Sequence, residues 1–536
     1  MQITTQKVKL GLALGMALTL IACGGGGGSS GTTKPVNNGT SPTAQWQAGV
    51  YASSASLKDK CATPRTGVDP VTNNAYPDKK GSETLEKLWL RSWSHESYLW
   101  YDELDDVNPA GYGVLEYFER LKTDLRTASG SYKDNFHYAQ DTAELNKRTQ
   151  SGVTSGYGFE WVWGSPYPPR SLHVVYIEPG SPADLAGIER GMQLVNINGR
   201  DLIYDETDAG VDAINKGLFP ESVGQRTPMT FKTLSGNMLD VSLTSTDYEI
   251  HAVAKTTVLN TTQGRVGYLL FNTFNIFKSQ QPLKAAIQQL KDANISELVL
   301  DLRYNGGGLL AQSSQLGYMI TGPDIVPADA FFERIVFNGK FEEDDELVFI
   351  NQLLDEEFYG TGVALPTLNL TRVYVLSTGN TCSASESLIN ALRGIDVEVV
   401  LMGDTTCGKP YGFYPTDNCG TTYSTIQFKG ENYAGFGEYA DGLKPKQRPN
   451  LNFLDEVPGC RVDDDLNHAL GDTQEALLAA ALQHMQDASC PPEPLRTNKT
   501  KTLQRSGPAV QTASSHNPLW NNKIYPNKVV LQRLSQ

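Results

Sequence analysis

Histidine is scarce in this chain: seven among 536 residues, with none between His251 and His468. A Ser-His-Asp relay inside that interval would have to draw its imidazole from a remote segment, which weighs against it. The seven cysteines include no CxxC pair, so zinc-binding spacing is missing. His95-Glu96-Ser97-Tyr98-Leu99 lacks the second histidine of a zinc-protease helix. No phosphate loop of the GxxxxGK type occurs. Positive charge is also short: 45 Lys and Arg against 60 Asp and Glu, a formal net charge of −15. That balance leaves no electrostatic footprint for nucleic acid. Beyond the N-terminal segment no apolar run is long enough to cross a bilayer as a helix. Nothing in these patterns calls for a metal or an organic cofactor.

What is present begins with an export signal. Lys7 and Lys9 precede the apolar run Leu10–Ala22, which is too short for a permanent membrane helix. The run closes as Leu20-Ile21-Ala22-Cys23-Gly24, which resembles the bacterial lipoprotein cleavage motif. That resemblance implies a signal peptide over 1–22 and lipidation at Cys23. Because Gly24 is not aspartate, it also implies a lipid-anchored protein of the bacterial cell envelope, at the outer membrane and facing the periplasm. The glycine run that follows reads as a flexible tether over 23–48. Residues 491–536 read as a basic tail with little periodicity. The acidic cluster Glu342–Glu346 reads as a solvated loop. Apart from Cys23, six cysteines remain, enough for three disulfides in an exported protein. Closeness in sequence favours Cys407–Cys419 and Cys460–Cys490.

Between tether and tail the pattern changes twice. Residues 49–150 mix apolar positions with aromatics, as in Leu88-Trp89-Leu90 and Tyr98-Leu99-Trp100-Tyr101, and are expected to form a mostly helical domain whose aromatics pack its core. Then come Ser155-Gly156-Tyr157-Gly158-Phe159, Glu178-Pro179-Gly180-Ser181-Pro182-Ala183 and Leu194-Val195-Asn196-Ile197-Asn198-Gly199. Together they resemble a PDZ domain over 151–247. Pro182 suits the first turn of a short helix, and Asn198-Gly199 is a hairpin turn. PDZ domains take a peptide as an added edge strand and rest its carboxylate on backbone N–H groups. The resemblance puts that carboxylate loop at Gly156, Tyr157, Gly158 and Phe159. From 248 to 490 strands and helices alternate: Val266 to Phe274, Glu297 to Arg303, Val373 to Ser377 and Val397 to Met402 read as strands with helical runs between them. Such alternation implies an α/β core with parallel strands.

The chemistry concentrates in that core. Ser383-Ala384-Ser385-Glu386 precedes an apolar run, the pattern of a capping box. A serine at the positive end of a helix is also placed to attack, since that end favours a developing anion. Lys409 follows the next strand, in Asp404-Thr405-Thr406-Cys407-Gly408-Lys409. A lysine can replace histidine as base where burial keeps its amine neutral. Gly306-Gly307-Gly308 lies between a strand and a helix, where bare N–H groups can approach an anion. For glycine triplets in general, a plain tight turn between strand and helix is the reading that wins.

Asp301-Leu302-Arg303-Tyr304-Asn305-Gly306-Gly307-Gly308, Thr381-Cys382-Ser383-Ala384-Ser385-Glu386 and Gly403-Asp404-Thr405-Thr406-Cys407-Gly408-Lys409 stand in that order behind the PDZ-like segment. The chain thereby resembles the C-terminal processing peptidases, or tail-specific proteases, over roughly 84–485. The resemblance implies an α/β fold: a ClpP/crotonase-like serine protease core with a PDZ domain and an N-terminal helical domain. It makes Ser383 the nucleophile and Lys409 its general base, with Glu386 helping to place them. Amides of Gly307 or Gly308 and of Ala384 would form the oxyanion hole. The expected activity is serine endopeptidase action on protein or peptide substrates, with room for an adaptor protein as partner. The competing reading is a non-catalytic PDZ peptide-binding envelope lipoprotein. Cys382 and Cys407 depart from the family's usual residues and flank both reactive positions, which raises the hypothesis of a Cys382–Cys407 bridge.

Overall fold

The computed structural model describes residues 45–494 apart from 71–72, 128, 342 and 451. The signal segment, Cys23, the tether up to 44 and the tail from 495 lie outside the described residues. The core is a seven-stranded sheet in the order Val253–Thr261, Gly264–Phe271, Glu297–Asp301, Arg372–Ser377, Glu398–Gly403, Glu456–Arg461, Lys444–Lys446. The first two strands form an antiparallel hairpin, and every later pairing is parallel. Parallel strands covered on both faces read as continuous apolar runs, and here successive residues serve opposite layers. Leu298, Leu300, Val373 and Val375 meet the helices Gln280–Asp292, Leu310–Thr321 and Ala384–Gly394. Val299, Tyr374, Leu376 and Val400 meet the helix Ala476–Asp487. The register aligns Asp301 with Leu376, and Ser377 with Gly403. Three strands therefore stop at one edge, and the loops carrying Gly307, Ser383 and Lys409 leave from it together. The alternation expected from the sequence is present, with boundaries moved by one to three residues.

Residues 153–249 form a separate antiparallel module. Its strand order is Met238–Thr244, Arg226–Lys232, Gln193–Ile197, Ser171–Ile177, Phe159–Ser165, around a core of its own. Ser181 caps the short helix Pro182–Leu185. Asn198 and Gly199 both take positive φ, as the hairpin between Gln193–Ile197 and Arg200–Asp201 demands. Phe159–Ser165 pairs on one side only and is an edge strand.

The expectation of a mostly helical domain over 49–150 needs correction. Glu83–Ser97 is its one long helix; the other helices described there are of five residues or fewer. Much of the segment lies along the core instead. Tyr138–Asp141 pairs with the core strand Thr421–Ser424, and Cys61 bonds Cys419. That bridge also corrects the expected Cys407–Cys419 pair. Cys419 lies in the turn of the hairpin Thr416–Asn418/Thr421–Ser424, beside the N-terminal segment, while Cys407 bonds Cys382. Closeness along the chain misled because the fold turns the two cysteines toward different partners. Cys460–Cys490 is present as expected. Among the described residues no helix is long and apolar enough to cross a membrane.

Candidate active site

Ser383 begins the helix Ala384–Gly394 with φ 59° and ψ −116°. Non-glycine residues rarely adopt that region, and such strain persists only where neighbours over-determine it. Two neighbours here are visible. Gly307 (φ 98°) packs so closely that a Cβ on it would stand 2.7 Å from the Cys382 carbonyl oxygen and 2.8 Å from the Ser383 Cβ. Cys382 is bonded to Cys407 across a Cα–Cα distance of 5.2 Å. The Ser383 hydroxyl is fully buried, and among the described residues it makes no hydrogen bond. The capping box is thus half made: Glu386 accepts from the Ser383 amide at 2.9 Å, but the serine side chain caps nothing.

Glu386 does not face the serine as a same-face helix neighbour alone. Its carboxylate also accepts from the Gly408 amide (2.8 Å), the Lys409 amide (2.9 Å) and the Thr406 hydroxyl (2.5 Å). The Cys407 amide donates to the Thr381 carbonyl at 3.0 Å. The serine loop and the lysine loop are therefore joined by backbone hydrogen bonds, one buried carboxylate and one disulfide. Burial pushes the Glu386 carboxyl up, and the donors around it pull it back. Lys409 is 1% exposed. Its amine lies 4.3 Å from the Phe413 ring centre and 4.9 Å from that of Phe136. Desolvation brings it down to about 7, against the opposing pull of Asp134 and Glu386.

Of the three amides expected to bind an oxyanion, Gly307 is committed elsewhere: it donates to the Asn305 side chain at 2.9 Å. Asn305 holds the loop from several sides, since its carbonyl also accepts from the Cys382 amide and the Ser385 hydroxyl. Among the described residues the Gly308 and Ala384 amides have no acceptor. The nearby Arg303 is fully buried and pairs with Asp301, Asp464 and Glu475. Its role is to brace the strand ends. In the module, Gly156-Tyr157-Gly158-Phe159 lies far from these loops in sequence. Gly158 packs on Ser181, Tyr157 donates to Thr227 at 2.7 Å, Phe159 is in the module core, and the Gly158 amide faces the Tyr248 phenol. A cavity of about 570 Å³ separates the edge strand from the core, with Glu160, Tyr248, Asn275, Tyr304 and Asn380 among its walls. Sequence reading missed Asn305, Thr406, Asp134 and Phe136. The first two stand inside the quoted motifs; the last two have no local signal.

Residues 265–416 match the model of peptidase family S41. The carboxyl-terminal-processing protease of Picosynechococcus is 29% identical over 248 residues, covering 44% of this chain and 50% of its own. Carboxyl-terminal-processing peptidase 3 of Arabidopsis thaliana is 26% identical over 260 residues, 45% of this chain and 43% of its own. The chain thus spans about half the length of these curated relatives. Peptidase 1 of the same plant is 25% identical and covers 72% of this chain and 71% of its own. A solved Bacteroides fragilis chain assigned to the S41 proteases shares the fold, with a TM-score of 0.55, 22% identity, and coverage of 78% of this chain and 99% of its own. The likeness to C-terminal processing peptidases read from the motifs is found again in these relatives.

Proposed function

We propose that the protein is a serine endopeptidase of the C-terminal processing type, which hydrolyses peptide bonds of envelope proteins through Ser383 and Lys409. The observation that carries this reading is the strained, fully buried Ser383 with an uncommitted hydroxyl, tied through Glu386 to a lysine whose amine is kept dry. Binding alone gives no reason to hold either group in that state. In the proposed reaction neutral Lys409 takes the hydroxyl proton as the Ser383 oxygen bonds to the substrate carbonyl carbon. The Gly308 and Ala384 amides hold the tetrahedral oxyanion, each such donor being worth about 3–4 kcal/mol. Collapse breaks the C–N bond, and Lys409 returns the proton to the leaving amine. Water, deprotonated by the same lysine, then attacks the acyl carbon; the C–O bond to Ser383 breaks, and Lys409 returns the proton to the serine oxygen.

The module over 151–247 serves in this reading as a PDZ domain. The open side of Phe159–Ser165 supports it, since an extended peptide could add there and continue along the cavity toward Asn380. Anchoring through a lipid on Cys23 would keep the enzyme at the envelope. Ser383→Ala tests the core claim: cleavage of an unfolded protein by purified protein should vanish while peptide binding persists. If the wild-type protein binds peptides but cleaves none at any pH, the non-catalytic binding reading takes its place.

A further inference from the structure

The pocket around Lys409 is completed by a segment far from both reactive loops. Asp134 and Phe136 precede the strand Tyr138–Asp141. Phe136 offers its ring to the Lys409 amine, and Phe413 supplies the second ring. Asp134 is 3% exposed. One of its oxygens accepts from the Tyr98 phenol at 2.8 Å, the other from the Phe136 amide at 2.9 Å. Tyr98 is fixed in turn: it is fully buried and accepts from the Thr123 amide at 3.1 Å. The segment is pinned on both flanks, by the Thr127 hydroxyl on Asp441 at 3.0 Å and by the pairing of Tyr138–Asp141 with Thr421–Ser424. A carboxylate buried this deeply is costly unless a charge or donors answer it.

A dry amine is a good base, but the ammonium formed when it takes a proton is badly solvated. Triads meet the same problem with a carboxylate behind the imidazolium. We propose that Asp134, held by Tyr98, is the third member of this site: a positioning carboxylate that steadies the Lys409 ammonium formed as Ser383 attacks, between the faces of Phe136 and Phe413. Aromatic faces add a favourable term for a desolvated cation. The inference rests on the peptidase reading above. It adds no new bond: one proton moves from the Ser383 oxygen to the lysine nitrogen and on to the leaving amine. The charges acting on Lys409 are those of Asp134 and Glu386. Other titratable groups on the elements around the pocket include Tyr98, Tyr411, Tyr439, His137 and Lys444, with Lys133 paired to Glu103 and Asp441 taking the Thr127 and Ser129 hydroxyls. The His137 ring is committed to Thr425 and the Phe118 carbonyl.

Asp134→Asn keeps the shape and removes the charge. Two readouts serve: kcat/KM on an unfolded protein against pH, and the pH dependence of Lys409 acetylation by acetic anhydride, followed by peptide mass spectrometry. The second needs no turnover. Since the Asp134 charge favours the ammonium, its loss moves both midpoints to lower pH, by roughly half a unit to one unit. The plateau of kcat/KM falls roughly tenfold or more. Asp134→Glu brings the midpoints back toward wild type. Reduced activity with unmoved midpoints is the signature of a merely structural residue and overturns the proposal. A wild type that cleaves nothing removes the peptidase reading, yet the acetylation midpoint still reports whether Asp134 acts on Lys409. Should Asp134→Asn not fold, Tyr98→Phe loosens the carboxylate without deleting it; a smaller shift in the same direction supports the role, and no shift overturns it.

Discussion

The Glu386 carboxylate gathers four donors on two oxygens in the interior: the Ser383, Gly408 and Lys409 amides and the Thr406 hydroxyl. Leaving a buried donor unmet costs about 1–3 kcal/mol. Glu386→Ala in a Ser383→Ala background should therefore lose on the order of 4 kcal/mol, measured by urea unfolding; a loss under ~1 kcal/mol would show that the loops hold without it. Lys409 makes a second prediction. In the proposed mechanism its neutral form is the base, and burial brings it down to about 7, so kcat/KM should rise with pH through that value and level off above it. The stability sign is separate. The unfolded chain binds this proton up to about 10.4, so between the two values the unfolded state holds more protons and stability increases with pH. Lys409→Met should then stabilise more at acidic than at alkaline pH. Ser383, Lys409 and Glu386 could be picked out as candidates because each sits in a short motif with its own chemistry, and the fold brings their loops together. Asp134 and Phe136 were not, because only the folded chain brings them to the lysine.

At the scale of the element, the serine loop and the lysine loop are parallel excursions from neighbouring strands, and two kinds of link join them. The Cys382–Cys407 bridge closes a loop of sequence separation 25. Removing such a bridge costs about 3 kcal/mol through the unfolded state. The hydrogen bonds of Glu386 and the Cys407 amide survive its loss and keep the loops in register. Replacing both cysteines by serine should lower stability by about 3 kcal/mol while keeping more than roughly a tenth of the activity. Thiol titration with and without reductant, beside a urea melt and a cleavage assay, checks this. Activity falling a hundredfold or more would make the disulfide the main positioning device. The strands and helices themselves were readable because their apolar runs are continuous and punctuated by glycine. The disulfide pattern was readable in part: Cys460–Cys490 and the hypothesised Cys382–Cys407 are present, but Cys61–Cys419 was not foreseen, since connectivity depends on which loops the sheet edge gathers. The Gly307 amide was misjudged for a similar reason: glycine spacing reveals room for an N–H but not that Asn305 accepts from it.

For the molecule as a whole, the order of parts was visible in the chain, but their integration was not. The N-terminal segment is tied to the core by a strand and by a bridge of sequence separation 358, so it acts as one wall of the site rather than as an independent helical domain. The antiparallel module is held over the same edge by Arg190, which reaches Asp464 at 2.7 Å and the Tyr304 phenol. That placement leaves the cavity of about 570 Å³ running from Glu160 on the edge strand to Asn380 near the serine loop. If a substrate C-terminus docks on the module, its carboxylate must find amides in the Gly156–Phe159 loop, where the Tyr248 phenol now faces the Gly158 amide. A charge-assisted hydrogen bond contributes about 1.5–3 kcal/mol, so amidating the C-terminus of a peptide substrate should raise KM by roughly tenfold or more and leave kcat nearly unchanged. Tyr248→Phe takes away the competing oxygen and should widen the gap between free and amidated substrates. Equal KM for both substrates, in wild type and variant alike, would mean that the module does not read chain ends. Its edge strand would then guide internal segments of the substrate instead.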